Sequence, residues 1–354
     1  MFQKKYFLAL LLIFQIVVLQ FLKPFPEVVE NLYCSVFFVA LSQFLRKLLG
    51  SIFLSVGDVI YFLMLLYIAY SAYKSIGNWS KKGRNYLLKC VNFVSVLYFL
   101  FHFMWGLNYY RTPLFKKMNL NTAYSDADLF AFTEKLISKT NRLQIQITKN
   151  KNQKVVVPYR NVQMQLQTLN GYNKLAVKHT FFKYQILSIK PSLFSIPLSY
   201  MGFSGYLNPF TNEAQYNANV PRYGLPITIC HEMAHQIGYA NESECNFIGY
   251  LSANANSNLY FKYAANTLAL KYCLRAVAMQ NTEKSKYYLT KLNKGIVANL
   301  NEDKMYYLKY HSFIETGFEI FYDRFLKINQ QQDGIESYSK FIDLLINYDK
   351  KNPN

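Results

Sequence analysis

A chain of 354 residues holds one large domain or two modest ones. It is 52% hydrophobic and 18% aromatic, yet carries a formal charge of +19, which excludes an ordinary water-soluble domain over its whole length. The long apolar runs concentrate in residues 1–110, so a membrane domain (1–110) and a globular domain (111–354) are expected. Five cysteines, Cys34, Cys90, Cys230, Cys245 and Cys273, are odd in number and share no spacing. That excludes a disulfide framework or a CxxC metal knuckle. The lysines are scattered, without an arginine-rich patch or a nucleic-acid motif. They read as a solvated basic face near anionic headgroups, so the expected partner is a lipid bilayer and not nucleic acid. Nothing in the composition speaks to oligomeric state.

Spanning a bilayer takes about 20 apolar residues. Three segments qualify: residues 6–22 ("YFLALLLIFQIVVLQFL"), 52–73 and about 87–108. The first follows Lys4 and Lys5, as a signal peptide would. "KPFPEVVEN" comes after it instead of a small-residue cleavage site, so it reads as an uncleaved anchor. Residues 32–50 are apolar but short, with Arg46 and Lys47 near the end; an amphipathic or re-entrant helix is preferred, and a fourth span, which would move the "SKKGR" loop to the outer face against the charge rule, is the alternative. With three spans, Lys4 and Lys5 share a side with "KSIGNWSKKGR" between spans two and three. The positive-inside rule makes that side cytoplasmic. The protein is then a multi-pass protein of the cytoplasmic membrane, its N-terminus inside and residues 111–354 on the periplasmic side. Asp58 and His102 fall within spans; an interfacial position for the first and helix packing for the second suffice, and neither receives a role.

In the C-terminal domain, Ser125 followed by Asp128 resembles a capping box that opens a helix to about Arg142. A second helix spans 161–178. Residues 185–225 are rich in Ser, Gly, Pro and aromatics and read as extended chain with at least one strand. Helices follow at about 226–237, 242–255, 258–279, 282–298, 302–328 and 335–348. The expected fold class is mainly α: membrane helices plus a mostly helical domain with a small extended element beside the helix of residues 226–237.

That helix carries the chemistry. In "PITICHEMAHQIGYANESECNF", His231 and His235 lie four apart on one helix face, one turn above each other. Two such imidazoles can direct nitrogens to one Zn2+, and Glu232, one step round the helix, reaches a water rather than the metal. Zinc acidifies that water and the glutamate accepts its proton. Pro226 supplies a helix start and Gly238 a stop, and unpaired histidines in so apolar a helix would be costly. The flanking polar stretches place the site in the globular domain and exclude a protease whose histidines sit inside a span. Position 241 is Asn, which excludes the third histidine of a metzincin. Glu242 and Glu244 remain as third-ligand candidates. Glu244 falls at N3 of a helix capped by Asn241, where a capping box gives it a structural task. Glu242 shares a stripe of small side chains with Cys245, Asn246, Gly249 and Ala253, a face able to approach another helix, and is preferred. Asn246 can then hold a ligating imidazole. Cys230 and Cys245 read as packing rather than as a nucleophile paired with histidine. His179 and His311 read as structural. Tyr200, Tyr206 and Tyr223 are candidate donors to an oxyanion.

"HEMAHQIGYANESECNF" with the preceding "GFSGYLNPFTNEAQYNANVP", "WGLNYYRTPL" after the third span, and "YDRFLKINQQQDGIESYSKFIDLL" near the C-terminus resemble an uncharacterised family of bacterial three-pass membrane proteins assigned by motif to zincin-like peptidases. The E-x-x-x-N pattern in "ESECN" is similar to a gluzincin element whose first glutamate binds zinc; carried over, that glutamate is Glu242. Cys245 stands where alanine is usual, and the separation from His235 to Glu242 is shorter than in most gluzincins. The resemblance implies a membrane-anchored zinc metallopeptidase acting on peptide or protein, with His231, His235 and Glu242 as ligands and Glu232 as base. The competing expectations are a scaffold or sensor with a closed structural zinc site using Glu244, and a zinc hydrolase of a non-peptide envelope component.

Overall fold

The computed structural model describes residues 6–76, 79–331 and 338–353. Lys4 and Lys5, part of the orientation argument, and residues 335–337, the expected start of the last helix, lie outside them. The chain is mainly helical. The N-terminal third contains α1 (Phe7–Leu22), α2 (Pro26–Val28) running through a π-helical stretch (Val29–Phe37) into α3 (Phe38–Leu49), then α4 (Val56–Ile76) and α5 (Trp79–Met104). Among the described residues, three helices are long and apolar enough to cross a membrane: Pro26–Leu49, Val56–Ile76 and Gly83–Met104. They make this a multi-pass membrane protein.

These are not quite the three expected segments. The first expected span is α1, only 16 residues long; at 1.5 Å per residue it covers about 24 Å, short of the roughly 30 Å hydrocarbon core. It packs along α5, where Gln15 Nε2 reaches the Ser95 carbonyl at 3.4 Å. Residues 32–49, expected to form an amphipathic or re-entrant helix in preference to a span, belong to the continuous Pro26–Leu49 helix, whose length qualifies it as a span. Its polar residues nevertheless run along the globular domain. Glu30 binds Arg111 and Lys117 at 2.9 and 2.7 Å, Ser42 Oγ donates to the Gln236 carbonyl at 2.8 Å, and Arg46 donates to the Ile186 carbonyl at 3.0 Å.

A buried polar clamp joins the membrane helices to the domain. Lys190 donates to the carbonyls of Leu49 and Leu54, both at 2.9 Å, at the end of α3 and in the turn beyond it, and pairs with Glu213. The Glu213 carboxylate accepts from the backbone N–H groups of Val56 and Gly57 at 3.2 and 2.6 Å, capping α4 where the helix dipole favours an anion. Asp58 accepts from Ser192 Oγ (3.0 Å), Leu193 N (2.7 Å) and the Tyr206 hydroxyl. Asp58 thus anchors the start of α4.

After a 3-10 turn at Gly106–Tyr110, the globular domain is built from α6 (Leu114–Lys117), α7 (Asp126–Thr148), α8 (Asn161–Lys178), β1 (Ile189–Pro191), α9 (Ser195–Tyr200), β2 (Gly205–Leu207), β3 (Ala214–Tyr216), α10 (Leu225–Gln236), α11 (Glu242–Ala255), α12 (Leu259–Gln280), α13 (Thr282–Thr290), α14 (Lys294–Tyr310), α15 (Phe313–Ile328) and α16 (Tyr338–Lys351). Both halves of the capping box at Ser125 and Asp128 are present, at 3.2 and 2.8 Å. That helix runs to Thr148, past the expected Arg142, because Leu143 and Gln144 continue its buried face. The two helices expected over 282–328 are three. The breaks fall at Asn293, whose side chain bonds the Asn141 carbonyl and Gln144 (3.1 and 2.9 Å), and at His311–Ser312. The sheet is small and mixed, in order β1-β3-β2: β1 runs parallel to β3 and β2 antiparallel to it. The core packs α10, α11 and α12 against α7, α8 and α16. Two buried tyrosines there keep their hydroxyls bonded, Tyr172 to the Cys230 carbonyl (2.6 Å) and Tyr263 to Asn299 (2.8 Å).

Removing one member of a buried ion pair strands the other charge and costs about 3–5 kcal/mol. Glu213→Gln is therefore expected to lower unfolding stability by that order in detergent-solubilised protein. The Lys190→Met/Glu213→Leu double variant should recover part of the loss. A single variant as stable as the parent would contradict the clamp.

Candidate metal centre

Gly224 precedes the first turn of α10 and Pro226 lies within it, where its missing N–H leaves no helical bond unmade. The helix stops at Gly238, whose φ of +89° a side chain resists. Three residues later Asn241 caps α11, accepting from Ser243 N and Glu244 N at 3.0 and 3.2 Å. The two helices then meet closely: a Cβ on Gly249 would stand 3.1 Å from the His231 backbone nitrogen. The stripe of small residues on α11 thus faces α10 and carries Glu242 to the histidines.

Glu242 lies with its Oε2 3.2 Å from His231 Nε2 and its Oε1 3.7 Å from His235 Nε2. The other ring nitrogens are engaged: His231 Nδ1 with Asn246 Oδ1 at 2.9 Å, His235 Nδ1 with the Tyr239 carbonyl at 2.7 Å. A carbonyl only accepts, so each Nδ1 carries a hydrogen, and a ring without a second proton directs a lone pair from Nε2 toward the carboxylate. Acceptors facing acceptors in a buried site call for a cation between them, a proton or a metal. Ligand atoms of His231, Glu232 and His235 also lie within 4.8 Å of one another. Two imidazoles and a carboxylate form the donor set of an open zinc site.

The electrostatics agree. Burial disfavours charge on Glu242, but His235 and His231 outweigh it and hold the carboxyl well below its usual range. Burial likewise opposes charge on His235, and the neighbouring Cys245 and Glu242 raise its pKa regardless. Cys245 is pushed by burial to about 11, so at neutral pH the charge beside His235 is that of Glu242, and the thiol is no nucleophile. Glu232 is 4% exposed, its Oε2 has no partner among the described residues, and burial pushes its pKa up to about 7, against the pull of His231 and His235. Its Oε1 would stand 2.6 Å from a Cβ on Gly205, so only glycine fits beside it.

Glu244 does not join the group. Its Oε1 accepts from Leu114 N at 2.6 Å, capping α6 rather than returning to Asn241 N as the expected capping box requires. The three tyrosines suggested as oxyanion donors are engaged elsewhere: Tyr206 with Asp58, Tyr223 with Asp303, and Tyr200 against the ring of Tyr310. His179 packs on Phe181 and Phe182, and His311 bonds Glu315 at 2.7 Å. A tyrosine that does reach the site is Tyr322 of α15, whose hydroxyl donates to Glu242 Oε1 at 2.6 Å. Sequence reasoning passed over it, although the stretch "YDRFLKI" begins there. Trp105 and Arg111 of "WGLNYYRTPL" act on the loop after His235: the indole nitrogen reaches the His235 carbonyl at 3.5 Å and Arg111 donates to the Gly238 carbonyl at 2.5 Å. The histidines, both glutamates and Tyr322 open onto a cavity of about 1050 Å³.

Partners that orient a ligating imidazole usually matter about 10–100-fold in metal affinity. Asn246→Ala is expected to weaken zinc binding by that factor in a chelator competition, with the fold intact. A second expectation concerns the metal-free protein. An acid whose folded pKa is raised holds its proton more tightly when folded, so it favours folding below its unfolded value of 4.5, and that contribution is lost as pH rises toward 7. Chelator-treated Glu232→Gln should therefore gain on the parent between pH 5 and pH 8, by up to about 3 kcal/mol in denaturation midpoints. A difference independent of pH would count against a buried, protonatable Glu232.

No curated protein and no solved structure matches the chain. One family model does, over residues 33–346. The chain belongs to the family described as a protein of unknown function, DUF3810.

Proposed function

We propose that this protein is a membrane-anchored, zinc-dependent metallopeptidase that hydrolyses peptide bonds outside the cytoplasmic membrane. The observation that carries the reading is the convergence of His231 Nε2 and His235 Nε2 on the Glu242 carboxylate, beside a buried Glu232 with an unpartnered oxygen. His231, His235 and Glu242 would hold the metal. Bound zinc supplies Lewis acidity, which acidifies water and polarises a carbonyl. Glu232 accepts the proton from water and returns it to the amine nitrogen as the C–N bond breaks, the hydroxyl passing to the carbonyl carbon. Asn246 and the Tyr239 carbonyl fix the tautomer and aim of the imidazoles, and Tyr322 holds Glu242.

Strand β2 supports a peptide over a smaller substrate. It lies at the sheet edge and lines the cavity. Its paired residues are bonded at Asn208 N to Glu213 O and at Asn217 N to Ser204 O, both 2.9 Å. By the alternation of an antiparallel pair, the backbone groups of Gly205 and Leu207 then point away from β3, free to bind an added strand. Glu244 is engaged at Leu114 N, which speaks against a closed four-ligand structural site.

Purified protein is expected to carry a single zinc per chain by metal analysis, lost in His231→Ala. Glu232→Gln should keep the zinc and lose roughly 10²–10⁴-fold in peptide hydrolysis. A zinc-free parent protein, or a fully active Glu232→Gln, would sink the proposal. Gly205→Ala should also impair turnover with zinc retained, because its methyl displaces Glu232.

A further inference from the structure

The cavity that holds the zinc-site residues does not end within the globular domain. Tyr61, Met64 and Leu65 of α4 line it, at spacing i, i+3, i+4 on one face of a helix apolar and long enough to cross the membrane. Leu65 lines the cavity and is 58% exposed, so the cavity is open along α4 rather than sealed. Leu65 lies nine residues past Val56, about 13 Å along the helix at 1.5 Å per residue. The cavity therefore extends from the site along the first turns of a helix apolar and long enough to cross the membrane. Opposite, α15 contributes Phe318, Tyr322 and Phe325, while its outer residues Phe313, Ile320, Phe321 and Ile328 are exposed.

We infer that the substrate is a membrane-anchored polypeptide, its apolar segment lying between α4 and α15 and its chain cut just where it leaves the bilayer. This deepens the hydrolase reading above and rests on it. Two features favour a polypeptide over a lipid. No lysine or arginine lines the cavity among the described residues, and its charged groups are His231, Glu232, His235 and Glu242. Apart from the proposed zinc, a phosphate headgroup would find no lysine or arginine in the cavity to pair with its remaining oxygens. In contrast, Gly205 and Leu207 of the edge strand in the same cavity offer backbone groups that only another peptide chain satisfies in register. The apolar walls suit an apolar span, and the polar chain leaving it arrives at the site.

The test uses the full chain in phosphatidylethanolamine–phosphatidylglycerol vesicles. The probe is a synthetic polypeptide with a Leu/Ala span, a photoactivatable leucine in its last turn, and a pool of randomised polar segments carrying a quenched fluorophore. The same pool without a span and a photoactivatable phosphatidylethanolamine serve as comparisons. Glu232→Gln protein, mapped by mass spectrometry, should crosslink the anchored probe at Tyr61, Met64 or Leu65 and at Phe318 or Phe325. Parent protein should cleave the anchored pool at a kcat/KM at least tenfold above the free pool. Crosslinks without cleavage of either pool would overturn the hydrolase reading and leave the binding site standing. Cleavage of the free pool with equal efficiency, or cavity labelling by the lipid alone, would overturn the membrane-anchored substrate and leave the hydrolase. Neither crosslinks nor cleavage would overturn both.

Discussion

The buried Lys190–Glu213 pair is the constraint on which the rest depends. Lys190 lies in β1, Glu213 just before β3, and between them they bind the end of α3, the turn after it and the first N–H groups of α4. A charge pair with almost no solvent exposure is tolerable only when every lone pair and proton finds a partner. Here most of those partners are backbone groups of α3, of α4 and of the turn between them, with Thr211 Oγ1 adding one from the domain. The sheet is thereby locked to the start of α4, and β2 is carried to its place beside Glu232. Nine short strand residues would otherwise make a poor sheet.

A second constraint is electrostatic. The chain is strongly basic, yet its central cavity collects two carboxylates and two imidazoles, and no lysine or arginine lines it among the described residues. Arg111 approaches the site only from behind, bonded to the Gly238 carbonyl, stacked on Tyr239 and neutralised by Glu30. Positive charge is thus spent on fixing the loop, and the cavity is left with a deficit that a cation can fill.

Much of this was legible in the sequence, because it is local. The helix of His231 and His235, its end at Gly238, the restart at Asn241 and the contact of Asn246 with His231 all follow from spacings of a few residues. The reach of Glu242 could be read from the small stripe that Gly249 continues. Relations between distant segments could not be read. The partner of Glu244 is a backbone nitrogen 130 residues away, and Tyr322 meets Glu242 across 80 residues. Such pairs leave no periodicity. The breaks in the C-terminal helices were signalled by Asn293 and Ser312, whose capping tendency is weaker evidence than an unbroken apolar pattern. The apolar run of residues 32–50 misled on length, since polar Glu30 hides the true start of its helix at Pro26.

The contacts of the Pro26–Leu49 helix bear on what counts as a unit of this protein. Glu30 neutralises the arginine that holds Gly238, and Ser42 bonds both Asn212 and the carbonyl of Gln236, next to a histidine. A cut near residue 110, where composition changes, would pass through the support of the site rather than between modules. The part that meets the bilayer and the part that bears the histidines share these buried polar contacts. A water-soluble fragment is then not a smaller version of this protein but an incomplete one, and the geometry of His235 belongs to the chain only once its first fifty residues are in place.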